Sequence, residues 1–217
     1  MTARESILEA IRGAAVPPAP LADVPVFAAP ELAAAGPVPG GAAVGAGPVS
    51  APVGQDTLVR RFAETLDQVG GRAREVAGLE GLAAAVREET GPFRHVVCCV
   101  RGVGASTLEV GPETPAATLA EVEVAVVQGR LGVAENAAVW VDEADLPHRA
   151  VHVVAEHLVL VLSKDRIVAD LHEAYRLLAR PLPGYGLFIS GPSKTADIEQ
   201  ALVIGAQGPR SLVVLLV

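Results

Sequence analysis

Cysteine is scarce in this chain of 217 residues: there are two, and they are neighbours, Cys98 and Cys99. Adjacent side chains in a strand point to opposite faces, so these two do not bridge each other. With no CxxC spacing and no second thiol cluster, a cysteine-ligated zinc or iron–sulfur centre within the chain is excluded, and the pair reads as reduced structural thiols. Basic clusters are missing too. Lys and Arg total 17 against 25 Asp and Glu, and a net charge of −8 offers phosphate backbones nothing to hold, which argues against nucleic-acid binding. Long apolar runs are also absent: the longest, Ala150 to Leu162, is interrupted by His152, Glu156 and His157 and is too short to span a bilayer. Arg4, Glu5, Glu9 and Arg12 interrupt the N-terminal stretch, unlike the apolar core of a signal peptide. The expectation is a soluble cytoplasmic protein without membrane insertion.

What the chain does have is apolar content, 51%, enough to bury a sizeable core. Residues 2–13 place Ile7, Leu8 and Ile11 at helical spacing behind Thr2 and Glu5, the pattern of a short capped helix. From Ala14 to Gln55 the composition turns to Ala, Pro, Gly and Val, with nine of the 17 prolines and only Asp23 and Glu31 charged. Proline removes amide donors and, with glycine, opposes both helix and sheet, so 14–55 reads as a flexible arm.

Regular structure is expected from Asp56 on, as one α/β domain over 56–217. A helix with Leu58, Phe62, Leu66 and Val69 on one stripe is stopped by Gly70 and Gly71. A strand over Arg72 to Val76, a helix over Leu79 to Glu89 and an apolar strand over His95 to Val100 follow. Further strands are expected at Val122 to Val127, Ala137 to Val141, Leu158 to Leu162, Gly186 to Ser190 and Leu212 to Val217. A helix over Asp165 to Ala179, ended by Pro181 and Pro183, falls among them. Alternation of this kind predicts a parallel sheet with helices packed on it.

Three motifs bear on chemistry. After the strand His95 to Val100, Arg101-Gly102-Val103-Gly104-Ala105-Ser106 starts like a dinucleotide-binding glycine turn. The third glycine is missing, Thr107 stands there, and Gly111, Pro112 and Pro115 forbid a long following helix, so it reads as a plain turn. His148 and His152 would share a helical face, with His157 nearby, but the segment is strand-like from Val151 and no carboxylate completes a shell; no metal site is expected. The third motif, Ser190 to Glu199, follows an apolar strand. If that strand belongs to the parallel sheet, the loop leaves its carboxyl end, where open α/β sheets bind ligands. Gly191, Ser193, Lys194 and Thr195 there can present free amides and a cation to a phosphate or carboxylate, with Asp197 and Glu199 beside them. The same pattern equally suits a capped helix start, with Thr195 as N-cap, Asp197 in the first turn and Ile198 packed inward.

Gly191 to Glu199 (GPSKTADIE), followed by Leu202 to Leu212 (LVIGAQGPRSL) and an apolar C-terminal strand, resembles the closing signature of the lactate utilization protein C family, whose domain is the LUD domain. Lys194 fits the basic position of the first block; Gln207 stands where the family has histidine. Leu131 to Ala138 is similar to a stretch in which an acid precedes a Thr-Gly-Thr turn: Glu135 is kept, while Asn136, Ala137 and Ala138 replace the turn. The resemblance covers the C-terminal half well and the region from Asp56 loosely. It implies a Rossmann-like, mostly parallel sheet with helices on both faces, similar to the sugar-phosphate isomerase and CoA-transferase superfamily. It also implies a component of an L-lactate oxidation system working with iron–sulfur partner proteins, binding a small anionic ligand and carrying no cofactor of its own. Two other readings stay open: a stand-alone enzyme on a sugar phosphate or CoA thioester with Glu135 or Asp197 as base or nucleophile, and a regulatory domain whose site has decayed.

Overall fold

The computed structural model describes residues 54–104, 106–178, 184–198 and 201–217. The helix expected at 2–13, and the arm expected at 14–55 up to residue 53, lie outside them.

Helix α1 (Gln55–Gln68) buries Leu58, Val59, Phe62 and Leu66 along one stripe, the spacing of a helix with a single packed face. Strand β1 (Arg72–Glu75) follows, then helix α2 (Gly78–Thr90), which buries Leu82, Ala85 and Val86. Strand β2 (Val96–Cys98), the one-turn helix α3 (Ala116–Leu119) and strand β3 (Val124–Gln128) come next. With β6 (His157–Leu162) and β11 (Ser211–Leu216), strands β1, β2 and β3 form an all-parallel five-stranded sheet in the order β1-β11-β6-β3-β2. In the central strand β6, Leu158, Leu160 and Leu162 enter the core shared with α1, while Val159 and Val161 enter the core shared with α2. That alternation explains the unbroken apolar run seen in the sequence: both faces of the strand are covered.

A second sheet, of four strands, covers the α1 side. It has the order β7 (Ile167–Val168), β4 (Leu131–Val133), β5 (Ala138–Asp142), β8 (Gly186–Ile189). Here β4–β5 and β5–β8 are antiparallel and β4–β7 is parallel. Val139 and Val141 of β5 point into the core beneath the parallel sheet, while Ala138 and Trp140 pack toward helix α5 (Leu171–Leu178). The strands expected at 137–141 and 186–190 are therefore present, but neither belongs to the parallel sheet. The physical reason is the length of the connection. Only Ala134–Ala137 separate β4 from β5, with Ala137 at φ +54, and a link this short joins antiparallel neighbours, whereas a parallel pair needs a crossover.

The helix expected over Asp165 to Ala179 is shorter at its start. Lys164–Arg166 form a 3-10 turn, and the β-branched pair Ile167 and Val168 joins the second sheet beside Gly132 and Val133. The helix then starts at Leu171 because Asp170 caps it: its Oδ1 accepts from the Glu173 amide at 2.8 Å, and Glu173 Oε2 reaches back to the Ala169 amide at 3.2 Å. Ala179 lies outside the described residues.

Helix α4 (Val151–Val154) is a single turn immediately before β6. Among the described residues no helix is long and apolar enough to cross a membrane.

Candidate functional site

The segment after β8 does not start a helix. Strand β9 (Lys194–Ile198) and strand β10 (Ala201–Ile204) form an antiparallel hairpin, with Thr195 opposite Val203 and Lys194 opposite Ile204. This corrects both readings of a helix start here, the one with free amides for an anion and the one capped by Thr195. Ser193 shows why: its amide donates to Pro209 O at 2.8 Å, its carbonyl accepts from the Gly205 amide at 2.9 Å, and its hydroxyl receives the Gln207 amide at 3.4 Å. These three bonds fasten the start of β9 to the loop before β11, and a chain so paired on one side continues as a strand. Its location also differs from expectation. The loop 205–210 precedes β11, and the Arg210 amide donates to Glu156 O just before β6, so this corner sits at the amino ends of the parallel strands. The carboxyl-end rule that pointed to it does not apply.

A cavity of about 350 Å³ nevertheless opens at this corner. Leu187, Phe188 and Ile189 of β8, the turn Ser190–Pro192, residues Ser193, Lys194 and Thr195, His152 and Val153 of α4, and Gln207–Pro209 line it. Gly191, Ser193, Lys194 and Thr195, all expected to bind ligand, thus share one cavity. Gly191 and Pro192 are buried, and Lys194 is exposed. Lys194 Nζ lies 3.4 Å from where a Cβ on Gly70 would stand, beside the carboxyl end of α1, whose dipole favours a cation there. Lys194 has no ion-pair partner among the described residues.

Glu135 does not line the cavity. Its Oε2 accepts from the Leu171 amide at 3.2 Å, at the positive end of α5. The next residue stands at the rim, since Ser190 Oγ donates to Asn136 O at 2.6 Å. Asn136 also holds its own turn, its Oδ1 accepting from the Ala138 amide at 3.1 Å. Asp197 falls within β9, and Glu199 lies outside the described residues. Replacing Glu135 by glutamine keeps an acceptor at the helix end and removes only its charge. The expected result is a small drop in urea midpoint with ligand binding at the cavity unchanged; lost binding would make Glu135 part of the site after all.

The residue that sequence reasoning missed is His152. It is 1% exposed, lines this cavity, and neither ring nitrogen has a hydrogen-bond partner among the described residues. Its ring lies 6.3 Å from that of Tyr185. Unpartnered buried polar atoms cost free energy, so a site that keeps them asks for a ligand or solvent group to complete it. The signal was in plain view, a lone histidine among three valines and two alanines, but weighing it with its neighbours as a metal set hid it. Those neighbours are elsewhere: His148 Nδ1 accepts from the Ala150 amide, and His157 pairs with Ser211 Oγ at 2.7 Å and lies against Phe93. Among the described residues no group of three or more His, Cys, Asp or Glu is placed to hold a metal.

Burial holds the His152 pKa below its ordinary 6.5. The unfolded chain takes up a proton as pH falls through about 6.5, and the folded chain does so only at lower pH. Stability from this group is therefore complete above pH 6.5 and is lost as pH falls toward the folded value. Urea melts across that range should show a decline in the parent chain that His152→Leu flattens; equal slopes would mean the imidazole is solvated.

The two sheets and the covering helices define an α/β domain of a kind already seen. A DUF162 family protein from Deinococcus radiodurans shares this fold, with a TM-score of 0.57 and 21% identity, covering 76% of this chain and 99% of that one. Residues 115–217 match the family model of the LUD domain. The chain is 28% identical to lactate utilization protein C of Deinococcus radiodurans over 184 residues, 78% of this chain and 84% of that protein. It is 32% identical to lactate utilization protein C of Shouchella clausii over 93 residues, 40% of each. The resemblance read from Leu131 to Ala138 and from Gly191 to Leu212 is borne out: both stretches lie within the residues that match the LUD domain, and the chain is similar to lactate utilization protein C.

Proposed function

We propose that this chain serves lactate utilization as a cytoplasmic component of a system that oxidises L-lactate to pyruvate, working with iron–sulfur partner proteins, and that the cavity at His152 holds a small carboxylate ligand. The role in lactate utilization is supported by the similarity to lactate utilization protein C across most of the Deinococcus protein's length. Partners follow from what the chain itself lacks. Its two cysteines are adjacent free thiols, too few to ligate an iron–sulfur cluster, and burial pushes the Cys99 thiol up to about 12.

The ligand reading is supported by one observation: His152, whose buried ring nitrogens are both unpartnered, lines a cavity that Lys194 also lines. Apolar walls from Val153, Leu187 and Ile189 suit a short carbon skeleton. The ammonium of Lys194 suits a carboxylate, and neutral His152, donor on one nitrogen and acceptor on the other, suits a hydroxyl or keto oxygen. A 2-hydroxy or 2-keto acid of lactate size combines these groups.

Deletion of the gene from its host, followed by growth on L-lactate as sole carbon source, tests the role. The expected result is lost growth that the intact gene restores, with the tagged chain co-purifying with iron–sulfur proteins. Normal growth of the deletion strain would reject it.

A further inference from the structure

A larger cavity, of about 570 Å³, lies on the other side of the molecule, at the carboxyl ends of β2 and β3, where parallel sheets place ligands. Cys98 and Gln128 end those strands and form its floor; Ala144–Pro147 form one wall, and the connection 99–115 forms the other. That connection has no helix or strand among its described residues, and structureless links of such length inside a domain are uncommon.

The link is nevertheless pinned. Ser106 Oγ accepts from the Cys98 amide at 2.8 Å, and Thr107 Oγ1 accepts from the Val96 amide at 2.9 Å while donating to Arg94 O at 2.5 Å. These bonds zip the returning limb onto the free edge of β2, and Arg101, at the start of the turn before that limb, lines the cavity. Gly102 and Gly104 adopt φ of +80 and +66, and neither has a heavy atom within 4 Å of where a Cβ would stand. Neither glycine lines the cavity, and Val103 between them packs into the core shared with α2.

Polar groups around the cavity divide into engaged and free. Asp145 is held by the Arg130 guanidinium. Gln128 Nε2 donates to Gly129 O at 3.0 Å and Val161 O at 2.9 Å, which fixes the amide and leaves its carbonyl oxygen as an acceptor on the floor. At the mouth, Arg101 and Glu109 form no ion pair among the described residues. Leu108, Val110, Leu146 and Pro147 supply apolar wall between floor and mouth.

From this arrangement we propose that the carboxyl-end cavity binds a nucleoside phosphate whose base carries an exocyclic amino group, with ADP as its probe. Gln128 accepts the amino group at the floor, the apolar wall takes the base, Glu109 accepts the ribose hydroxyls, and Arg101 holds the phosphates at the mouth. The site is separate from the cavity at His152 and does not depend on the reading of that one.

Isothermal titration of the full chain with ADP tests this. The expected result is saturable one-site binding, weakened at least about tenfold by Arg101→Ala, a surface change that leaves folding intact, and unaffected by Arg60→Ala on the exposed side of α1. IDP, which places a carbonyl where ADP has the amino group, is expected to bind at least about tenfold more weakly. No binding of ADP at millimolar concentration, equal affinity of the Arg101→Ala chain, equal affinity for IDP, or pyrophosphate binding as tightly as ADP would each overturn the proposal. Lactate binding is read in a separate titration, so either site can fail alone.

Discussion

Gly191→Ala is expected to lower the unfolding free energy by about 2–4 kcal/mol, the range of severe single substitutions with a named steric cause. Two effects add. The residue sits at φ +71, a conformation that costs an L-residue about 1–2 kcal/mol. A Cβ there would also stand 2.6 Å from Val69 O and 3.0 Å from Val69 Cγ2, at the end of α1, and a backbone carbonyl at a helix terminus cannot step aside as a flexible side chain would. Gly78→Ala separates the two effects, because Gly78 has a similar φ of +64 but nothing within 4 Å of its Cβ position. Urea unfolding should therefore show a clearly larger drop in midpoint for Gly191→Ala than for Gly78→Ala, with unchanged slopes. Equal drops would mean that the turn after β8 does not rest on α1.

His152→Leu is expected to move two measurements in opposite directions. Leucine fills a similar volume without polar atoms, so the ligand-free chain loses the penalty of two buried, unpartnered nitrogens and gains on the order of 1 kcal/mol of stability. Affinity for L-lactate or pyruvate is expected to fall at least about tenfold, since a hydrogen bond that fixes a ligand oxygen in a buried site is worth that much or more. A merely structural histidine would not behave this way, because its removal would lower stability and leave binding to follow. Paired urea melts and titrations on the same preparations distinguish the two cases. Stability raised with affinity unchanged would mean that the imidazole does not contact the ligand.

Most of the parallel sheet was legible because its inner strands are buried on both faces and so appear as apolar runs, 96–100, 124–127, 158–162 and 212–217. The helical stripes Leu58, Phe62, Leu66 and Leu82, Ala85, Val86 were legible for the complementary reason, a single buried face. The second sheet was not, because Ala137–Val141 reads as the same kind of run. What assigns it to another sheet is the tight turn before it, with Asn136 holding the Ala138 amide and Ala137 at positive φ. The hairpin β9–β10 was hidden differently. Ser193, Thr195 and Asp197 at their spacing suit a helix cap, and only the bonds from Ser193 to Gly205, Gln207 and Pro209, distant in sequence, decide for a strand. Of the candidate site, the turn from Gly191 to Thr195 was found from its resemblance and its small polar residues. His152 was not, since its role depends on α4 meeting β8, a contact that no local pattern announces.

The most direct test of a small carboxylate held at His152 is a titration of L-lactate, and then pyruvate, into the full chain labelled with 15N-histidine. The ring nitrogens of His152, assigned by their loss in His152→Leu, should shift saturably, while those of His148 and His157, already bonded to Ala150 and Ser211, stay in place. A His152 ring that does not respond at tens of millimolar of either acid, or shifts shared equally by all the histidines, would contradict the account.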